Sequence, residues 1–110
     1  MQTTMIELNV GGRGVADCEW TLGGLPVGVA PPDNGLDIYL ASANGAILVT
    51  PGTTSDSKQV TAIAAGTDTI RYKARFGPVG RAVAVDFAEL VVTVKQPVAD
   101  GGRARFTPNA

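Results

Sequence analysis

Apolar and polar residues alternate along the first part of the chain. In residues 5–10 every second side chain is apolar, and Gly11-Gly12 ends the stretch. Residues 16–22 repeat the pattern, with Cys18 and Trp20 on the apolar face and acidic or polar residues on the other. Because successive side chains of a strand point to opposite faces, each stretch predicts a half-buried strand, with Trp20 as the largest anchor of the second.

The middle of the chain places turn-forming residues between apolar stretches. Pro31-Pro32 predicts a loop, since proline donates no hydrogen bond to a strand ladder. Residues 36–40 alternate, and Asn44-Gly45 follows them as a pair that tolerates the positive φ of a two-residue type I′ turn. The sequence therefore predicts a hairpin, in which residues 46–50 form the return strand.

The clearest alternation lies in residues 69–76, where apolar side chains face one way and Thr or basic side chains the other. This pattern is typical of a sheet with one solvated face. Residues 59–64 predict a small apolar strand, and residues 82–95 a longer one whose apolar positions change parity near Ala88-Glu89. Such a slip predicts a β-bulge or a bend, because one extra residue moves every later side chain to the other face.

About seven short strands with regularly spaced turns and little helical periodicity predict an all-β fold. An antiparallel β-sandwich with one core is favoured, and a small closed barrel is the alternative, because alternation does not separate the two. Residues 1–96 make up the predicted domain, of which residues 1–5 are an extended N-terminal arm. The pattern ends at Pro97, so residues 97–110 are predicted to form an extended C-terminal tail.

Composition and charge narrow the class of protein. The 110 residues are 45% hydrophobic and 17% charged, which suits one globular domain and excludes an intrinsically disordered chain. The net charge of −1 gives no field of one sign to recruit nucleic acid or an anionic membrane. No apolar stretch approaches the ~18 residues that span a bilayer. The first residues lack the basic start and apolar run of a signal peptide, so we expect folding in a reducing cytoplasm.

The chain offers little catalytic or metal-binding chemistry. It contains no His, the commonest general base and metal ligand, so we expect no enzyme activity, no metal site and no cofactor. The single Cys18 is expected to be a small buried apolar residue. Asp33, Asn34 and Asp37 offer oxygen ligands for Ca²⁺, but their spacing fits no EF-hand loop and a turn is favoured. The Gly-rich residues 11–14 lack the Lys-Ser/Thr of a phosphate loop, which favours a flexible linker.

Residues 59–70, QVTAIAAGTDTI, resemble the motif V-T-A-x-A-A-G-T-x-x-I of bacterial immunoglobulin-like domains of the Big-2 type. Residues 90–94, LVVTV, are similar to the last strand of that family. The likeness covers residues 59–96 well and the first half of the chain poorly. It implies an immunoglobulin-like sandwich.

Residues 68–74, DTIRYKA, also resemble the corner motif D-x-A-x-Y-x-C of immunoglobulin domains. This resemblance places Ala74 where the second cysteine of the inter-sheet disulfide would lie, and Cys18 in the place of the first. It implies that packing replaces the disulfide. Trp20 lies two residues after Cys18, whereas immunoglobulin domains carry that tryptophan on the next strand.

Domains that resemble this family occur in virion proteins of tailed bacteriophages, and this implies a function. We expect a structural virion protein, most directly a capsid decoration protein that binds and stabilises the outer capsid surface, with a tail or head–tail accessory role as a close variant. Its partners would be the major capsid protein or another virion protein, with copies of itself as a further possibility. The protein would assemble in the host cytoplasm and reside on the virion.

Extended terminal segments suit strand addition to a neighbour, and the C-terminal tail carries Arg103, Arg105 and Phe106 as the candidate partner-binding residues. The alternative function is a surface adhesin or a carbohydrate-binding module. That function requires exposed aromatic side chains, and by parity only Tyr39 is predicted to be an exposed aromatic residue on a strand.

Overall fold

The computed structural model describes residues 1–78 and 80–109, and these residues contain strands and no helix. Consequently no helix in this part of the chain is long and apolar enough to cross a membrane. The nine strands are β1 (Gln2–Asn9), β2 (Arg13–Ala16), β3 (Thr21–Leu22), β4 (Leu25–Pro26), β5 (Asp37–Leu40), β6 (Ile47–Pro51), β7 (Lys58–Ala62), β8 (Gly66–Phe76) and β9 (Val83–Lys95).

Seven of these strands form an all-β sandwich. One sheet has the order β1-β9-β8-β5 and the other the order β2-β7-β6, while β3 and β4 form a small hairpin of their own. The orders β2-β7-β6 and β5-β8-β9 are those of an immunoglobulin sandwich. Both sheets keep open edges, so the molecule is a sandwich and not a closed barrel.

The core lies between the two sheets and is built from the inward-facing residues of both. Ile70 and Val92 in the four-stranded sheet are completely buried, and Val60 and Ala62 face them from the three-stranded sheet. The predicted inward set of residues 69–76 is confirmed at its first three positions. Phe76, predicted to face inward, is 38% exposed at the end of β8.

A β-bulge interrupts the ladder between β8 and β9. Tyr72 is paired with Ala88, but the next residue of β8, Lys73, is paired with Asp86, which leaves Phe87 as the extra residue. The parity slip predicted near Ala88-Glu89 is thus confirmed one position earlier. Because of the bulge, Phe87 and Ala88 both pack against the core although they are adjacent in sequence.

The predicted Asn44-Gly45 hairpin is wrong. Strand β5 pairs with β8 and strand β6 pairs with β7, so the segment between β5 and β6 crosses from one sheet to the other. A type I′ turn requires a positive φ at both residues. Gly45 has a φ of 76°, but the φ of Asn44 is not positive. A tertiary contact with Asp68 therefore prevails over the local turn preference of the pair.

Asp68 on β8 is completely buried and holds this crossing segment. One carboxylate oxygen accepts hydrogen bonds from the Ser42 hydroxyl and the Asn44 backbone N–H, the latter at 3.0 Å. The other accepts from the backbone N–H groups of Ala46 at 2.7 Å and Ile47 at 3.2 Å. Burial alone would raise the pKa of Asp68, but these four donors lower it below its usual value because they favour the charged form.

A depressed carboxyl pKa predicts a loss of stability in acid. The pKa of Asp68 is near the usual value of 3.8 in the unfolded chain and lower in the folded chain. The contribution of Asp68 to stability is therefore complete above 3.8 and is lost as the pH falls through the folded pKa. We expect the urea midpoint to fall more steeply below about pH 4 in the wild type than in Asp68→Asn, which does not titrate. Parallel pH profiles of the two proteins would contradict this expectation.

The N-terminal part of the chain departs from the sequence prediction in three ways. Residues 2–5, predicted as a free arm, belong to β1, which runs parallel to β9 and not antiparallel. Residues 13–16, which overlap the predicted linker of residues 11–14 at its last two positions, form β2 against β7. The strand predicted over residues 16–22 is broken at residues 17–20, and Leu22, predicted to face inward, is 75% exposed. The alternation of apolar and polar residues continues through residues 17–20, although the backbone there forms no strand. Cys18 still packs against the core, and Trp20 stacks on Phe87.

Candidate functional site

Residues 96–109, the tail segment, leave the sandwich at the end of β9. Every residue of this segment is exposed and none lies in a strand. The molecule extends over 75 × 25 × 25 Å. Because the tail segment is exposed and forms no strand, it projects beyond the sandwich. The side chains of the tail segment are therefore turned to solvent and not to the core of the sandwich.

The predicted partner-binding residues lie together in this segment. Phe106 is 90% exposed, and Arg103 and Arg105 are exposed beside it. Within residues 1–78 and 80–109, neither arginine takes part in an ion pair. These three residues are neighbours in sequence, and all three are exposed in the described structure.

An open side of the sandwich forms a groove of about 580 Å³, which we call the acidic groove. It lies where β1 is the edge of one sheet and β2 the edge of the other. Its apolar lining includes Tyr72, Phe87 and Leu90. Its acidic lining residues are Asp17, Glu19 and Glu89, and the described residues that line it include Cys18 but no lysine or arginine.

The three acidic residues of the groove differ in the partners of their carboxylates. Glu89 accepts a hydrogen bond from the Thr3 hydroxyl at 2.9 Å, and its other oxygen lies 3.6 Å from Nε of Arg71. Asp17 and Glu19 are exposed and have no cationic partner among the described residues. The uncompensated negative charge of the acidic groove therefore lies at Asp17 and Glu19, on the segment that follows β2.

An aromatic cluster fixes that segment to the sheet. The ring of Trp20 stacks on Phe87 with 5.8 Å between centroids, and Phe87 meets Phe76 edge-on at 5.2 Å and Tyr72 at 6.2 Å. Phe87, the bulge residue, is thus the centre of the cluster. Burial raises the pKa of Tyr72 to about 12, with a smaller contribution from Asp17.

Burial also raises the pKa of the Cys18 thiol, and the carboxylates of Asp17 and Asp56 add to the effect. The thiol is half-buried at the wall of the acidic groove and packs against the core. A raised pKa favours the protonated thiol, which agrees with the packing of Cys18 against the core.

The opposite side of the sandwich has a smaller cavity of about 350 Å³ between β5 and β6. Tyr39, predicted to be an exposed aromatic residue, lines it and is half-buried. Its hydroxyl donates a hydrogen bond of 2.7 Å to Asp86. This bond raises the pKa of Tyr39, because ionisation would remove the donor and place two negative charges together.

The oxygen-bearing residues considered for Ca²⁺ serve a turn. The side-chain oxygen of Asn34 accepts from the backbone N–H of Leu36 at 2.9 Å, and its amide donates to the carbonyl of Pro31 at 3.0 Å. Asp33 has a positive φ of 51°, and its carbonyl accepts from Arg75. Among the described residues, no three His, Cys, Asp or Glu side chains are grouped as metal ligands would be.

Sequence reasoning missed the acidic groove, although part of it was visible. Asp17 and Glu19 alternate with Cys18 and Trp20 in the sequence, which identified them as outward-facing residues. Their position beside Phe87 depends on the break after β2 and on the bulge in β9. The pattern places the bulge to within one residue, but the alternation runs through residues 17–20 without a change of period, so the break after β2 is not visible in the sequence.

Comparisons with known proteins give distant structural similarities. No family model matches the chain, and no curated protein matches it. The solution structure of amebosin is similar with a TM-score of 0.41 and 14% identity, over 86% of this chain and 99% of that one. An endo-fucoidan hydrolase from glycoside hydrolase family 107 is similar with a TM-score of 0.40 and 14% identity, over 86% of this chain and 13% of the hydrolase. A structural similarity of this degree does not indicate a function.

Proposed function

We propose that this chain is a structural protein of a virion of a tailed bacteriophage, in which it decorates the capsid and stabilises its outer surface. The observation that supports this proposal is the tail segment, where Phe106 and two arginines stand free of the sandwich. Covering an exposed aromatic side chain with a partner lowers the free energy of the complex. Arginine and aromatic residues are enriched at protein interfaces. The sandwich supplies a rigid body and the tail segment supplies the attachment.

Attachment by a short segment suits a repeating surface. Each tail segment buries a limited area, so a single contact is weak, but a lattice of capsid subunits offers many equivalent sites. A decorating subunit that bridges two neighbours adds contact area across their junction. The resemblance of residues 59–70 to Big-2 domains, which include virion domains of tailed bacteriophages, supports the capsid as the partner.

The alternative function, a surface adhesin or carbohydrate-binding module, requires an exposed aromatic platform. Tyr39 is half-buried and its hydroxyl is engaged by Asp86. The exposed large aromatic residues of the described chain are Phe106, which lies in the tail segment and not on a sheet face, and Phe76, which is 38% exposed at the end of β8 and packs against Phe87. These features favour attachment to a protein assembly over a sugar-binding face.

The proposal is tested by removing the tail. We expect deletion of residues 97–110 to abolish co-sedimentation with phage particles that lack this protein. The sandwich should keep its thermal unfolding midpoint, because described tail residues contribute nothing to the core. Asp100→Ala in the full chain is the matched control and should retain binding. Full binding by the truncated protein would overturn attachment through the tail, and the absence of binding by the wild type would overturn the capsid as partner.

A further inference from the structure

We propose that the acidic groove of one copy of this chain receives the tail segment of a second copy, so that neighbouring copies are linked head to tail. This inference rests on the proposed function and deepens it: on the particle, the tail segment holds each copy through the neighbouring copy, so deletion of the tail releases the linked copies. A head-to-tail contact is heterologous, and such contacts continue from subunit to subunit or close into rings. It therefore suits copies arranged side by side on a repeating surface.

The backbone of the groove is prepared for an added strand. Within residues 1–78 and 80–109, β1 pairs with β9 alone and β2 with β7 alone, so both strands that border the acidic groove have a free edge. Unpaired N–H and C=O groups at such an edge bind an extended segment by main-chain hydrogen bonds. The tail segment has no strand partner of its own.

The charges of the two surfaces are complementary. The charged residues among the described lining of the acidic groove are acidic, and Asp17 and Glu19 lack cationic partners in the described part of the chain. The tail segment offers Arg103 and Arg105, which are exposed and equally without an ion pair in that part of the chain. Docking brings these opposite charges together at the rim of the groove, where they direct the tail and fix its register.

The apolar residues match as well. In an extended conformation Ala104 and Phe106 point to one side and Arg103 and Arg105 to the other. With the arginines at the acidic rim, Phe106 enters the part of the groove that Tyr72 and Phe87 line. The acidic groove, at about 580 Å³, has room for this ring.

The tail can reach a neighbour. Residues 96–109 span about 46 Å when extended, at ~3.3 Å per residue. The segment is exposed along its whole described length and forms no strand with its own sandwich, and the molecule is 75 Å long. It is therefore placed to meet the groove of the next copy.

Disulfide trapping tests the contact, because Cys18 is the only cysteine and lines the groove. We introduce Ala104→Cys into the full chain, oxidise it with copper–phenanthroline, and use Val98→Cys as the matched control at another exposed tail position. We expect Ala104→Cys to form intermolecular disulfides at least about tenfold faster than the control, owing to the high local concentration in the docked state. Cys18→Ser should abolish the product. Equal rates for both variants, or an intramolecular disulfide, would overturn docking between copies.

A charge exchange tests the same contact without the thiol. Self-association of the full chain, measured by sedimentation equilibrium, should weaken about tenfold in Phe106→Ala and about threefold in Glu19→Lys. The double variant Glu19→Lys/Arg105→Glu should regain the wild-type value, whereas Glu19→Lys/Arg81→Glu should not. A wild type that stays monomeric at all concentrations, or a double variant without recovery, would overturn the inference.

These results separate the inference from the proposed function. If trapping and charge exchange both fail while the tail is still needed for particle binding, the tail docks on a capsid protein and the second copy is wrong. If both succeed while particles are not bound, the head-to-tail contact stands and the capsid as partner is wrong.

Discussion

Asp68→Ala is expected to lower the free energy of unfolding by at least about 3 kcal/mol. The substitution leaves the Ser42 hydroxyl and the backbone N–H groups of Asn44, Ala46 and Ile47 without their acceptor. A buried donor without a partner costs about 1–3 kcal/mol, and water that enters the small space of the carboxylate relieves only part of the total. Chemical denaturation with urea, followed by circular dichroism, measures the change.

The control for this substitution is Asp100→Ala, which removes the same side chain from an exposed position of the tail segment. It should change the free energy of unfolding by less than about 0.5 kcal/mol. A loss of that small size in Asp68→Ala would mean that the crossing between β5 and β6 is held by its own turn residues. The role assigned to the carboxylate would then be wrong.

The strands could be predicted from the sequence where one face is buried and the other solvated. Alternation in residues 69–76 locates the inward side chains of β8 because Ile70 and Tyr72 lie at the centre of the core. The parity slip in residues 82–95 locates the bulge to within one residue, since an inserted residue leaves a visible change in the period. In both cases the determining interaction lies on the strand itself.

The prediction failed where a distant residue determines the local backbone. Asn44-Gly45 has the composition of a hairpin turn, yet Asp68, more than twenty residues later, binds the N–H groups of this segment and directs it to the other sheet. The parallel pairing of β1 with β9 is likewise set by strands far apart in sequence. No period in a single stretch encodes such a pairing.

The candidate site was predictable in part for the same reason. Arg103, Arg105 and Phe106 are adjacent in sequence and lie in a segment without strand pattern, so their exposure follows from the pattern alone. The acidic groove combines β1, the segment after β2, Tyr72 of β8 and Phe87 of β9. Its negative charge and its apolar floor therefore become visible only in the folded chain.

Phe87→Ala is expected to lower the free energy of unfolding by about 3 kcal/mol, because Phe→Ala substitutions in packed clusters cost about 3–5 kcal/mol and this ring is half-buried. The loss removes the partner on which Trp20 stacks and the shared edge-on neighbour of Tyr72 and Phe76. Phe106→Ala makes the same change at a ring that is 90% exposed, and should leave the stability within about 0.5 kcal/mol of the wild type.

The signal of Trp20 gives a second measurement of the same substitution. Without the Phe87 ring, the indole loses its fixed stacking geometry, so the near-ultraviolet circular dichroism of Trp20 should weaken while the far-ultraviolet β signal remains. Because the segment with Asp17 and Glu19 depends on this anchor, self-association should weaken together with the signal. An unchanged Trp20 signal would mean that the segment after β2 is held by its backbone, and that the bulge residue does not position the acidic rim.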